Sequence, residues 1–206
     1  MIPRTIVFCV SLSRNGTLSL SAAMATLGWR AYHSPLRVDP SWYDSPGRFF
    51  SDTPLFVPEL FRRLDLDHPD AYWIHTHRDI DSWLRSVQTS NVSRYLSTHP
   101  VDRWSYERVF PPPPFDPISW KKSYEEHRGV VLDHFGKRER FLSLRTEDLG
   151  WKPICDFLGV DAPNAAFPRL NRFNVCDRCG PEWMEFAAGD PDGTIRGRMH
   201  LGEEIP

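Results

Sequence analysis

Two clusters of side chains have the types and spacing to hold anions. The first is Ser13-Arg14-Asn15-Gly16-Thr17-Leu18-Ser19, a polar run between an apolar stretch and an amphipathic one. A loop of small residues entering a helix presents unpaired backbone N–H groups and the positive end of the helix dipole. Gly16 lets the backbone come close to a phosphate, Thr17 and Ser19 add hydroxyls, and Arg14 adds a forked, permanent cation. The alternative is a plain turn capped by Thr17. No Lys follows Gly16, so the GxxxxGK[ST] pattern of ATP-hydrolysing loops is not met. The second cluster is His77-Arg78-Asp79-Ile80-Asp81-Ser82-Trp83-Leu84-Arg85-Ser86. Ser86 lies eight residues after Arg78, about two helical turns along. Together they could hold a second phosphate; the alternative is that Arg78 pairs with Asp79 or Asp81.

The elements that must position these residues alternate. Residues Arg4 to Val10 read as a strand buried on both faces. Leu20, Ala23, Met24 and Leu27 form a helical stripe that Gly28 ends. A second strand is expected at Trp29 to His33, then a proline-rich, aromatic stretch from Ser34 to Pro54. A helix over Leu55 to Leu64 tolerates Pro58 only in its first turn. Ala71 to His77 reads as a third strand, and Asp79 caps the helix after it. Residues 91–117 read as irregular, Ile118 to Phe135 as a long helix, Arg140 to Arg145 as a strand and Pro153 to Leu158 as a helix stopped by Gly159. The alternation predicts an α/β fold: a central parallel sheet with helices on both faces and ligands at the carboxyl ends of the strands.

Composition narrows the function. Lys+Arg 25 against Asp+Glu 27 argues against a general nucleic-acid or membrane-surface binder. No apolar run approaches the ~20 residues of a membrane span, and the first run is too short for a signal-peptide core. Four cysteines in 206 residues do not make a disulfide scaffold, so a reducing cytoplasm is expected. Cys9 and Cys155 read as small buried hydrophobes, while Cys176 and Cys179 form one CxxC whose readings are zinc, a redox pair or ordinary thiols.

Taken together, the two clusters resemble the short P-loop sulfotransferases that use 3′-phosphoadenosine-5′-phosphosulfate (PAPS) and carry a loop of the form GRTGTxSL. The resemblance continues at Ser51-Asp52-Thr53-Pro54, along the segment AYWIHTHRDIDSWLRSV, and from Phe141 to Asn171, so that it covers residues 4–172. It implies a three-layer P-loop NTPase-like fold over residues 1–172, with 173–206 as an extension packed on the same domain. By position it implies that Ser13, Arg14, Asn15, Gly16, Thr17, Leu18 and Ser19 wrap the 5′-phosphosulfate and that Arg78 and Ser86 hold the 3′-phosphate. Arg196, Gly197 and Arg198 resemble a basic loop that closes over that phosphate, with solvated charge as the alternative.

The implied reaction is in-line sulfuryl transfer from PAPS to a small-molecule hydroxyl or amine, releasing PAP without a metal. Arg14 would absorb charge on the leaving phosphate. A base must take the acceptor's proton: His33, at the end of the second strand and next to the loop, is preferred over Asp52, for which loop-bracing is the alternative. His75, His77 and His127 are weaker candidates. Trp42, Tyr43, Phe49, Phe50 and Phe56 either line an aromatic acceptor pocket or belong to the core. The expected partners are a small-molecule acceptor and no nucleic acid or membrane span, and a homodimer is compatible. A P-loop kinase or hydrolase and a non-catalytic PAPS-fold interaction domain stay open as other readings.

Overall fold

Five aromatic rings standing in one row mark the register of the central sheet. The computed structural model describes residues 5–35, 38–44, 46–90, 100–112, 114–170 and 184–186. Its strands are β1 (Val7–Cys9), β2 (Arg30–His33), β3 (Arg48–Ser51), β4 (Tyr72–His77), β5 (Phe141–Arg145) and β6 (Met184–Phe186). They lie in the order β5-β4-β1-β3-β2-β6. The first five are parallel, and β6 runs antiparallel to β2. Register aligns Tyr32 with Phe50, Phe50 with Phe8, Phe8 with Trp73, and Trp73 with Phe141. The first three pairs of rings stack at 5.4, 5.6 and 4.7 Å. Phe135 then inserts between Trp73 at 4.6 Å and Phe141 at 5.5 Å. A one-residue slip would turn every one of these rings to the other face of the sheet.

Helices α1 (Thr17–Thr26), α2 (Pro58–Asp67), α3 (Ile80–Ser90), α4 (Pro100–Val109), α5 (Pro117–Phe135) and α6 (Trp151–Leu158), with short 3-10 turns at Pro40–Tyr43 and Thr146–Asp148, complete the described elements. Because strand side chains alternate, Phe8, Tyr32, Phe50 and Trp73 face one core with Leu60, Phe61, Trp83, Trp120 and Phe135. Val7, Cys9, Ala31, Phe49, Ile74 and Leu144 face the other with Leu20, Met24 and Ile154. This is the expected three-layer α/β fold with a central parallel sheet. Both predicted thiols are buried, and burial pushes Cys9 up to about 11. No helix among the described residues is long and apolar enough to cross a membrane.

Three expectations change. The proline-rich stretch contains β3, which separates β1 from β2, so His33 is not on the strand beside the loop's own. Its four residues are too few for a readable period, and Phe49 and Phe50 point to opposite faces. Residues 91–117 contain α4, whose buried face mixes Val101 and Tyr106 with Asp102 and Ser105 and so hides a helical stripe. The first helix is not merely striped: Ser19, Ser21, Ala22, Ala23 and Ala25 are buried along with Leu20 and Met24, as small residues allow. Pro58 occupies the first position of α2, where its missing N–H leaves no helical bond unmade. Tyr43, Phe49, Phe50 and Phe56 are fully buried, so the aromatic residues build the core rather than a pocket.

Beneath β4 lies a buried histidine layer. His127 of α5 meets the Phe56 carbonyl through Nε2 at 2.9 Å, and His75 meets Ser143 through Nδ1 at 3.1 Å. Burial disfavours the imidazolium: His127 is pushed down to about 4, and His75 falls well below 6.5, first by burial and then by the neighbouring His127 and His77. The unfolded chain therefore binds more protons than the native one between the two values. Stability from these residues is complete above about 6.5 and is lost as the pH falls toward 4, by on the order of 3 kcal/mol for His127 alone. His127→Gln keeps a donor for Phe56 and removes that titration. The difference between variant and wild-type Tm should therefore narrow by acid-side gain in the variant between pH 6.5 and 4; parallel curves would show that folding does not lower the His127 pKa.

Candidate active site

The loop after β1 has its carbonyls claimed one after another. Asn15 Nδ2 donates to Leu12 O at 3.1 Å, Trp83 Nε1 to Ser13 O at 3.0 Å, and Arg78 Nη1 to Arg14 O at 3.3 Å. Asn15 O accepts from both Thr76 Oγ1 at 2.6 Å and Thr146 Oγ1 at 3.2 Å. Gly16 O begins the helical ladder of α1 by accepting Leu20 N at 3.0 Å. In a trans peptide the C=O and the following N–H point to opposite sides. Each pinned carbonyl therefore turns the next amide, from Ser13 to Gly16, away from the group that pins it. Gly16 is the left-handed N-cap of α1 (φ 80) and supplies no side-chain cap, and the first turn holds no acidic residue. Each of these amides thus faces away from its pinning group, at a helix N-terminus whose first turn has no acidic residue.

The second cluster comes to the same place. Arg14 has φ 72 and directs Nε to Ser86 Oγ at 3.0 Å. Arg78 leaves the end of β4 toward the loop, and its Nε is buried with no hydrogen-bond partner. The neighbouring carboxylates are engaged elsewhere: Asp79 caps α3 by accepting Ser82 N at 2.9 Å, and Asp81 pairs with Lys121. That cap also holds the Asp79 carboxyl below its ordinary range.

His33 and Asp52, weighed above as alternatives, are neighbours. Register puts His33 beside Ser51, and Asp52 follows Ser51 in a left-handed conformation (φ 67), which a short polar side chain tolerates better than most. The buried Asp52 carboxylate accepts Ser13 Oγ at 2.6 Å, Thr17 Oγ1 at 2.8 Å and Thr53 N at 2.9 Å. It therefore ties both ends of the loop together. His33 Nε2 lies 3.6 Å from Asp52 Oδ2, and Nδ1 lies 3.2 Å from Ser51 Oγ, which in turn meets Ser21 Oγ at 2.8 Å.

Other expected residues sit apart. The Ser19 hydroxyl accepts Leu170 N at 2.9 Å, and the Thr17 hydroxyl serves Asp52 rather than capping α1. Leu18 is half-buried against the α1-side core. His75, His77 and His127 group with one another, with ring centroids 5.7 and 6.4 Å apart, and His77 is also shifted down by burial and by Arg128 and Arg145. Arg196, Gly197, Arg198 and the pair Cys176 and Cys179 lie outside the described residues. Among the described residues no group of His, Cys, Asp and Glu is arranged to hold a metal. Sequence reasoning missed Thr76, Trp83, Tyr124 and Thr146. Trp83 belonged to an apolar stripe, and nothing in a stripe says that its Nε1 reaches a loop. Thr76 and Thr146 stood at or just past strand ends, which was the available signal.

Residues 48–175, more than half of the chain, match the family model described as a sulfotransferase domain. The "Ava biosynthesis cluster protein M" of Aspergillus versicolor is 25% identical over 213 residues, covering 80% of each chain. A sulfotransferase from Alicyclobacillus acidocaldarius superposes with a TM-score of 0.52 at 17% identity, over 85% of this chain and 88% of that one. The sulfotransferase domain from the curacin biosynthetic pathway gives 0.50 at 14% identity, over 79% and 76%.

Gly16 is the backbone's tightest requirement. A Cβ there would meet Leu149 Cδ1 at 2.9 Å and Thr146 Cγ2 at 3.0 Å, in a conformation with φ +80. Gly16→Ala should lower stability by about 1–2 kcal/mol from the left-handed backbone alone, read as a lower urea midpoint at unchanged m-value. An unchanged midpoint would mean the loop does not hold this conformation in solution.

Proposed function

Given that the chain belongs to the sulfotransferase domain family, we propose that it moves a sulfuryl group from PAPS to a hydroxyl or amine of a small-molecule acceptor. The observation that carries the donor reading is the Arg78 guanidinium, whose Nε is buried without a partner beside a loop with claimed carbonyls. A buried N–H left unbonded costs about 1–3 kcal/mol, more on a charged group, and a phosphate oxygen would satisfy it. The loop amides and Arg14 form one anion cradle; Arg78 and Ser86 form the second. A donor with a 5′-phosphosulfate and a 3′-phosphate on one nucleoside fits two cradles, whereas a nucleoside triphosphate carries its charge at one end. The names of two similar proteins refer to biosynthetic pathways, which supports a small-molecule acceptor.

Bound PAPS would supply the sulfuryl group and leave as PAP with the electrons of the broken sulfur–oxygen bond. Arg14 and the amides of residues 13–17 would stabilise the charge growing on the departing phosphate. Asp52 holds those amides in place through Ser13 and Thr17. His33 is the proposed base. The tautomer in which Nδ1–H donates to Ser51 Oγ puts the lone pair on Nε2, and the carboxylate 3.6 Å away stabilises the imidazolium once the acceptor's proton arrives. Lengths of this kind are common in catalytic pairs before substrate closes them.

Thermal shift separates the readings. PAP at ~100 times its Kd should stabilise the protein by about 2.7 kcal/mol. A response to ATP with Mg²⁺ alone would point to a kinase instead, and no response to either would point to an interaction domain. Arg78→Ala should weaken PAP binding by about 1.5–3 kcal/mol. His33→Ala should abolish turnover with PAP affinity nearly intact; full turnover in that variant would remove His33 from the mechanism.

A further inference from the structure

The two anion cradles are joined by three hydroxyl groups that meet at Asn15. Thr146, just past β5, places Oγ1 3.2 Å from Asn15 O and 3.1 Å from His77 O. Tyr124 of α5 accepts Arg78 N at 3.0 Å and shares its one proton between Arg78 O at 3.0 Å and Asn15 Oδ1 at 3.4 Å. Thr76 of β4 donates to Asn15 O at 2.6 Å. Each hydroxyl thus has one foot on the loop that carries the first cradle and one on the end of β4 that carries the second. Each direct contact between the cradles, Arg78 Nη1 to Arg14 O at 3.3 Å and Arg14 Nε to Ser86 Oγ at 3.0 Å, uses a cation that a phosphate would engage. Neither is well suited to set their distance.

We infer that Tyr124 and Thr146, with Thr76, are positioning residues that fix the separation of the two anion cradles, and so select a ligand phosphorylated at both the 5′ and the 3′ positions. The inference rests on the donor reading above and adds to it: the sites bind phosphate locally, and the hydroxyl bridges make them one rigid bidentate receptor. Rigid spacing matters only to a ligand that touches both sites, because only that ligand must hold the loop and the β4 end at a set distance. A 5′-monophosphate meets only the loop cradle, whose own geometry is kept by Trp83 and Asp52.

The test is calorimetric titration of the full chain with PAP, 5′-AMP and 3′-AMP. Tyr124→Phe and Thr146→Val keep shape and remove one hydroxyl each. Each should weaken PAP by roughly 3- to 10-fold, and the double variant by roughly 30-fold, while 5′-AMP changes by less than about 2-fold. Thr146→Ser should restore PAP binding to within about 2-fold. Equal losses for all three ligands would mark the hydroxyls as ordinary fold contacts and overturn the inference, as would variants that bind PAP like wild type. A wild-type chain that does not bind PAP overturns the donor reading and this inference with it, so the two failures are told apart by the first titration.

Discussion

A peptide group cannot offer its carbonyl and the next amide to the same side, and the site depends on that constraint. Leu12, Ser13, Arg14 and Asn15 have their oxygens held by a side-chain amide, an indole, a guanidinium and two hydroxyls. The amides that follow are then turned by contacts made to the neighbouring carbonyls. Such a loop needs no lysine to bind an anion, because its partial charges are already oriented and the dipole of α1 adds to them. Preorganisation of this kind is what a reaction with a charged leaving group requires, since no reorganisation is left for the moment of transfer.

The pins come from four different parts of the chain, and the sheet brings them together. Register sets Cys9, Ser51 and His33 in one row and His77 beside Arg145. The loop, Asp52, Arg78 and Thr146 all leave the same carboxyl edge. The row of aromatic rings below that edge locks the register, so a packing interaction far from the chemistry fixes which side chains meet. Burial has the opposite effect one layer down. His75 and His127 are kept neutral by desolvation, so the layer under the site adds no positive charge near neutral pH.

At Asp52 the bracing of the loop and the contact with His33 meet in one carboxylate. Its carboxylate joins the two ends of the loop through Ser13 and Thr17, and its Oδ2 faces His33. Bracing and proton handling were competing readings of this position, but a carboxylate has room for several donors and the geometry lets both coexist.

Much of the architecture was legible in the order of the residues. Apolar runs ending in polar turns marked β1, β2, β4 and β5; Gly28, Pro58, Asp79 and Gly159 marked helix ends; and the spacing of Arg78 and Ser86 raised a second anion site as an expectation. These are local matters, decided by backbone sterics, capping and periodicity within a few residues. Only the tertiary structure decided that β3 lies between β1 and β2, that His33 and Asp52 are partners, and that Trp83, Tyr124, Thr76 and Thr146 converge on one loop. Those meetings join residues up to 131 positions apart. They exist because parallel strands gather their carboxyl ends at one edge, a consequence of sheet order that no short stretch of sequence contains.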